Sequence, residues 1–264
     1  MSEQQAEGGI KVERRGHVLV MGIDRAAKYN AFTPAMFQAL TDAYNTLDTD
    51  PALRVGVLYG EGKHFTAGLE LTKFVGLMQG GDALMGAGTG VDVFALKRKC
   101  RKPIVCAVQG ITYTAGIELM LACDIVVAGS DARFSQLEPK RGISAFGGAT
   151  FRFVERCGWG NAMYHLLRAD EFGAAEALRI GLVQEVVVPG EHVARAMEIA
   201  EEIASLAPLA VQATLASALT YAELGPAACV GELAETAQRL SQSADAAEGV
   251  QSFVERRAAV FQGR

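Results

Sequence analysis

Residues 104–124 read IVCAVQGITYTAGIELMLACD, and the parsing of this stretch decides the fold. Residues 104–108 (IVCAV) are a short apolar run with β-branched members, closed by Gln109-Gly110, which predicts a buried strand. Residues 116–123 (GIELMLAC) predict a short helix that is apolar all round. Between them lies a turn of small residues, 110–116, and one residue breaks the apolar pattern of the helix. Glu118 sits between Ile117 and Leu119-Met120-Leu121. An unpaired buried carboxylate is costly, so Glu118 pairs, takes up a proton or does chemistry.

The same strand–turn–helix grammar extends outward. Residues 17–24 (HVLVMGID), 54–59 (RVGVLY), 125–128 (IVVA) and 185–188 (EVVV) read as strands, with a short ARFS strand after the third. Thr33-Pro34 starts a helix, a hydroxyl cap before a proline at the first helical position, and the helix stops before Asp50-Pro51. Beyond Glu191 the chain reads as helix: 191–206, 209–223, 226–242 and 245–259. The expectation is therefore an α/β core over residues 1–190 and a helical C-terminal region over 191–264. Residues 76–90 (GLMQGGDALMGAGTG in 76–90) read as a loop between helices, not a domain boundary. Residues 1–16 are polar with no apolar core, and read as a short frayed leader, not a secretory signal. Residues 203–222 carry no charge, but contain Pro208, Gln212, Thr214, Ser217 and Thr220 and are flanked by Glu201, Glu202 and Glu223. A buried helix or helical hairpin is expected there, with no membrane partner.

Composition narrows the function. The 264 residues are 50% apolar and 21% charged, as in ordinary globular proteins. The formal charge of −5 and the lack of a basic run argue against nucleic acid. Five cysteines with no C-x-x-C pair read as reduced cytosolic thiols, so a cytoplasmic location is expected. The four scattered histidines give no metal-ligand spacing. Neither a P-loop nor a G-x-S-x-G elbow is present, and residues 86–90 (GAGTG) follow no strand.

What remains is two strand-to-helix turns of small residues, 64–71 (HFTAGLEL) and 110–118 (GITYTAGIE). Taken alone, each is turn chemistry. Facing each other, their free amides would make an oxyanion hole. A second acid, Glu138, follows the ARFS strand; by itself it reads equally as a solvated loop acid paired with Lys140 or Arg141.

Taken together, these motifs resemble the crotonase superfamily, the enoyl-CoA hydratase/isomerase group, over almost the whole chain. Asp24-Arg25 with Asn30-Ala31-Phe32 is similar to its N-R-P…N-A-L opening, and 64–71 to its F-S-A-G-x-D-L turn. Residues 110–124 are similar to G-x-x-x-G-G-G-x-E-L-x-x-x-C-D, and 132–138 to A-x-F-G-x-P-E. Gly147-Gly148-Ala149-Thr150 is similar to a G-G-T helix start, and 174–177 with 181–183 to A-x-E-A…G-L-V.

The resemblance implies a crotonase-like spiral of ββα turns with a helical C-terminal trimerisation extension, assembled as a homotrimer or a hexamer (dimer of trimers). It implies an enoyl-CoA hydratase that takes an acyl-CoA thioester and needs no cofactor, coenzyme A being part of the substrate. By position, Glu118 and Glu138 match the catalytic glutamates, and the amides of Leu69 and Ala115 match the oxyanion hole. Arg25, Lys28, Ala67, Gly68, Glu70, Leu71 and Gly116 fall where the CoA thioester binds, with Lys73 beyond. For the acyl pocket the candidates are Phe74, Leu77, Met78, Leu84, Met85 and Phe146. Arg264 and Phe261 are candidates to reach a neighbouring subunit's ligand. Departures from the pattern are Thr114-Ala115-Gly116 for Gly-Gly-Gly, Leu137 for Pro, Ser144-Ala145-Phe146 for a P-x-A-like stretch, and Leu69 for Ala. They bear on substrate choice more than on reaction class. The alternatives are an isomerase or another crotonase reaction on an acyl-CoA, and a non-catalytic acyl-CoA- or RNA-binding relative.

Overall fold

The computed structural model describes residues 7–79 and 90–264, except for the side chains of Val75 and residues 77–79. In chain order the elements are strands β1 (Gly9–Arg15) and β2 (Val18–Asp24), helix α1 (Pro34–Thr49), β3 (Val55–Gly60) and α2 (Leu71–Gln79). Next come β4 (Ile104–Val108), β5 (Ile111–Tyr113), α3 (Ala115–Ala122), β6 (Ile125–Gly129), β7 (Arg133–Ser135) and α4 (Ala149–Arg168). The chain finishes with β8 (Phe172–Gly173), α5 (Ala174–Arg179), β9 (Glu185–Val187), α6 (His192–Ala204), α7 (Pro208–Leu224), α8 (Pro226–Ser241) and α9 (Ala244–Glu255).

Two sheets organise the core. The larger has the order β1-β2-β3-β4-β6-β9, parallel except for the β1–β2 pair; the smaller has the order β5-β7-β8. Each turn of the spiral therefore places a strand in the large sheet, then one in the small sheet, then a helix: β4-β5-α3, then β6-β7-α4. Because side chains alternate along a strand, the large sheet has two apolar faces. Leu19, Met21, Ile23, Leu58 and Cys106 pack toward α1, which contributes Met36, Leu40, Tyr44 and Leu47. Val18, Val20, Val55, Val57 and Val105 pack toward α6, which contributes Ala196, Met197, Ile199 and Ala200. The first helix beyond residue 190 thus covers one face of the core sheet.

The helix expected at Thr33-Pro34 starts there, with the Thr33 hydroxyl accepting from the Met36 amide at 3.3 Å. Of the N-terminal residues expected to fray, Gly9–Arg15 instead form β1, antiparallel to β2. Residues 11–15 (KVERR) are exposed, so this is a charged edge strand whose sequence hides its pairing. The loop expected over 76–90 begins inside α2, and its remainder lies outside the described residues. Among the described residues no single helix is long and apolar enough to cross a membrane; α6 and α7 are bent by 107° to each other. The span 203–222, expected as a buried helix or helical hairpin, holds the end of α6 and most of the single helix α7, and no residue of α7 or α8 is buried in the single chain.

Candidate active site

The opening segment holds the first turn in place. Asn30, fully buried, accepts from the Arg25 amide at 2.8 Å and donates to the carbonyls of Glu61 (2.9 Å) and His64 (2.7 Å). The Phe32 amide donates to the Gly68 carbonyl at 2.8 Å, and the Glu70 amide donates to the Phe32 carbonyl at 3.0 Å. That pairing leaves the Leu69 amide on the opposite side of the strand.

The two small-residue turns are joined directly. The Thr66 amide donates to the Ile111 carbonyl at 3.1 Å and the Tyr113 amide to the Thr66 carbonyl at 3.0 Å. His64 Nδ1 accepts from the Ile111 amide at 3.0 Å. The approach is tight enough to demand glycine: a Cβ on Gly68, which has φ of 96°, would lie 1.8 Å from Thr114 Oγ1. Across the junction, a Cβ on Gly116 would lie 2.7 Å from Thr66 Cγ2. Thr114 itself has φ 51° and ψ −119°, a conformation that strains a β-branched residue. That strain turns the chain so that α3 begins at Ala115. Neither the Leu69 nor the Ala115 amide donates to an acceptor among the described residues.

Leu69 and Ala115 both line one cavity of about 170 Å³. Ala67, Leu69 and Leu71 line one side, and Thr114, Ala115 and Glu118 the floor. The segment after β7 closes the other side with Leu137, Glu138, Arg141, Ile143 and Phe146.

The two carboxyls differ in their surroundings. Glu118 is fully buried; its Oε1 accepts from the amides of Gly147 (2.6 Å) and Ala149 (3.2 Å), while Oε2 has no partner among the described residues. Burial pushes its carboxyl up, and the two amides and the nearby Arg152 guanidinium pull it back. Arg152 also donates to the Gly147 carbonyl at 3.0 Å, bracing the residue whose amide holds Glu118. Glu138 is 5% exposed and opens the 3-10 helix Glu138–Arg141. Its Oε1 accepts from Gln136 Nε2 at 3.0 Å, and its Oε2 is also buried without a partner. Burial pushes its carboxyl up to about 7, with the negative charge of Glu118 adding to the rise. So Glu118 is held by two backbone amides of another segment and Glu138 by the Gln136 side chain and its own amide, and the rise to about 7 favours the proton on Glu138.

Of the residues picked from sequence, the structure brings Glu118, Glu138, Leu69, Ala115, Ala67, Leu71 and Phe146 to this cavity. Gly68 and Gly116 form the junction behind it. Arg25 and Glu70, expected beside the CoA, hold each other: Arg25 is 5% exposed and its Nη1 donates to Glu70 Oε2 at 2.7 Å. Lys28 is exposed on the 3-10 helix Ala26–Lys28, and Lys73 pairs with Glu7 at 2.7 Å. Phe74 is buried behind the cavity in a chain of rings that runs through Phe37 and Phe94 to Phe146. Leu84 and Met85, and the side chains of Leu77 and Met78, lie outside the described residues. The C-terminal tail folds onto its own chain: Arg54 donates to the Phe261 carbonyl, and Asp245 accepts from the amides of Gln262 and Gly263. Sequence reasoning did not find the clamp of Glu118 by Gly147 and Ala149, nor Arg141 in the wall. The G-G-A-T helix start was the visible sign of the first.

The family profile of enoyl-CoA hydratase/isomerase matches residues 13–264. The chain belongs to that family. It is 34% identical over 257 residues to the enoyl-CoA hydratase EchA19 of Mycobacterium tuberculosis, covering 96% of both chains. Its fold superposes with a TM-score of 0.94 on a probable enoyl-CoA hydratase/isomerase from Mycobacterium abscessus, at 49% identity and covering 97% of this chain and 98% of that one. The crystal structure of an enoyl-CoA hydratase from Mycobacterium tuberculosis H37Rv gives a TM-score of 0.89 at 34% identity, covering 98% of this chain and all of the other. The α/β spiral with helical extension expected from the motifs is thus the family fold.

Proposed function

We propose that the protein is an enoyl-CoA hydratase that adds water across the double bond of a 2-trans-enoyl-CoA to give a 3-hydroxyacyl-CoA. The observation that carries this reading is the pair of buried, half-satisfied carboxyls on the cavity that also receives two free amides. The thioester oxygen lies between the amides of Leu69 and Ala115. As the water oxygen bonds to C3, the π electrons move toward C2 and the thioester oxygen, and the amides stabilise the enolate; losing one such donor typically costs about 3 kcal/mol. Ionised Glu118 orients the water and takes its proton, and protonated Glu138 delivers a proton to C2. The cycle leaves Glu118 protonated and Glu138 ionised, and a proton passing between them restores the start. No cofactor enters beyond the CoA carried by the substrate. Ala67 and Leu71 line its approach.

Turnover of but-2-enoyl-CoA to 3-hydroxybutyryl-CoA, followed by loss of enone absorbance, tests this. A double-bond shift without hydration contradicts it and favours the isomerase alternative.

The assembly we propose is a homotrimer or hexamer. Tyr221, Leu224, Val230, Leu233, Phe253 and Val254 are all more than half exposed on α7, α8 and α9, an apolar face that a single chain leaves in water. The mass in solution from light scattering decides it; a monomer contradicts it. All five cysteines are free, which accords with a reducing cytoplasm.

A further inference from the structure

We propose that Arg152 is the positioning residue of Glu118: from the first turn of α4 it ties two loops together and holds the Glu118 carboxyl both in place and charged. The inference deepens the hydratase reading, in which Glu118 takes the proton of the water, and rests on it.

Arg152 Nη1 donates to the Gly147 carbonyl at 3.0 Å and Nη2 to the Ala95 carbonyl at 3.1 Å. The amides of Gly147 and Ala149, on either side of that first carbonyl in the chain, both donate to Glu118 Oε1. Gly148 between them leaves room for the guanidinium: its φ is 101°, and a Cβ there would lie 2.6 Å from Arg152 Nη1. The second loop is wound on Asp92, whose carboxylate accepts from the amides of Phe94 (2.9 Å), Leu96 (2.9 Å) and Lys97 (3.2 Å). That loop carries the buried Phe94, whose ring meets the edge of Phe146 on the cavity wall. One guanidinium thus joins the clamp of Glu118 to the loop that supports the wall.

This indirect hold suits a base better than a direct ion pair would. Among the described residues neither Glu118 oxygen bonds to Arg152; Oε1 takes the two amides and Oε2 is without a partner. A guanidinium bound to Oε2 would cover the oxygen left for the water and weaken it as a base. Placed on the neighbouring carbonyl, the positive charge still favours an ionised Glu118 inside the protein. Two bonds to carbonyls could come from a neutral donor, and burial opposes the charge on Arg152, so the clip alone does not account for a guanidinium here. The charged groups facing Arg152 are Glu118, Asp92, Glu155 and Arg156, and Asp92 is already held by three amides. Those facing Glu118 are Arg152 and Glu138. With Glu138 protonated, Arg152 is the charge that acts on Glu118.

The test separates charge from geometry. Arg152→Gln keeps a donor and loses the charge; Arg152→Lys keeps the charge and loses the fork. Hydration of but-2-enoyl-CoA by the wild type, measured first, reports on the hydratase reading alone. In kcat/KM against pH, the acid limb along which Glu118 takes up a proton should lie at higher pH in Arg152→Gln. The deficit of that variant should therefore be at least about threefold greater at pH 5 than at pH 7. Arg152→Lys should return the limb to its wild-type place. The position of the limb does not depend on how much of a variant is folded. A second readout needs no activity: the Glu118 carboxyl resonance in protein labelled with carbon-13 glutamate, assigned with Glu118→Gln. It should titrate at higher pH in Arg152→Gln than in the wild type or Arg152→Lys. A limb and a resonance that stay in place in Arg152→Gln overturn the proposal and leave Arg152 a clip between loops, as does kcat/KM unaltered at every pH. A resonance that moves as expected in a protein that does not hydrate the thioester sustains the hold on Glu118 and overturns the hydratase reading alone.

Discussion

Replacing Glu138 with Gln removes an ionisation that the fold opposes, so it should raise stability while it lowers activity. Burial and the charge on Glu118 raise the Glu138 carboxyl from its ordinary 4.5 to about 7. For a carboxyl raised in the folded state, stability is fully present below the ordinary value and is lost as pH climbs to the folded-state value. Above pH 8 the native protein holds an ionised Glu138 that the unfolded chain ionises far more readily. A rise of this size corresponds to roughly 3 kcal/mol of lost stability there, and to less than about 1 kcal/mol at pH 5. Glu138→Gln should therefore match the wild type near pH 5 and exceed it by about 3 kcal/mol at pH 8.5, about 5–10 °C in Tm for a chain of this length. Urea denaturation of both proteins at the two pH values reads the double difference directly. A stability difference that does not change with pH, or one of opposite sign, refutes the electrostatic account of this residue.

Four other outcomes follow from the geometry. For the dependence of kcat/KM on pH, a fall as pH rises through about 7 is expected, because Glu138 must carry a proton, and this limb should vanish from the residual activity of Glu138→Gln. Gly147→Ala would put a Cβ 2.7 Å from Glu118 Oε2, so turnover of but-2-enoyl-CoA should drop at least about tenfold with thioester affinity retained, as measured by calorimetry. Thr114→Gly relieves the positive φ and should raise the urea midpoint by an amount equivalent to about 1 kcal/mol; a lower midpoint would place the value of Thr114 in its side-chain contacts. Thr33→Ala removes the cap of α1 and should cost about 1 kcal/mol of stability with kcat unchanged.

The parts of the fold that could be read were those where pattern and packing agree. The runs VLVMGID, VGVLYG, IVCAV and IVVA are largely buried and become four adjacent parallel strands, and Thr33-Pro34 caps a helix with a clean apolar stripe. Where two surfaces compete for one segment, the pattern blurred. Helix α4 buries Phe153, Ala162 and Leu166 but exposes Phe151, Trp159, Tyr164 and Leu167, and Gly158 breaks it at φ 73°, so no single stripe marks it. Strand β1 was hidden because its outward residues are charged, a property of its edge position.

The site divided along the same line. Glu118 was visible because a lone acid in an apolar helix violates local preference, and that violation requires a reason. Its holders were not, since backbone amides 29 and 31 residues away leave no mark of their identity in sequence. Arg25 and Glu70 show a partner that sequence does not mark. A base and an acid beside a binding turn look like ligand contacts in sequence, and the structure adds that they form a 2.7 Å ion pair with each other.

The central claim is that both carboxyls act on one thioester held by the Leu69 and Ala115 amides. Single-turnover hydration of but-2-enoyl-CoA by Glu118→Gln and by Glu138→Gln, with thioester affinity measured on the same preparations, tests it most directly. The account predicts that each variant hydrates at least about a hundredfold more slowly while binding the thioester as the wild type does. Wild-type turnover in either variant would contradict it.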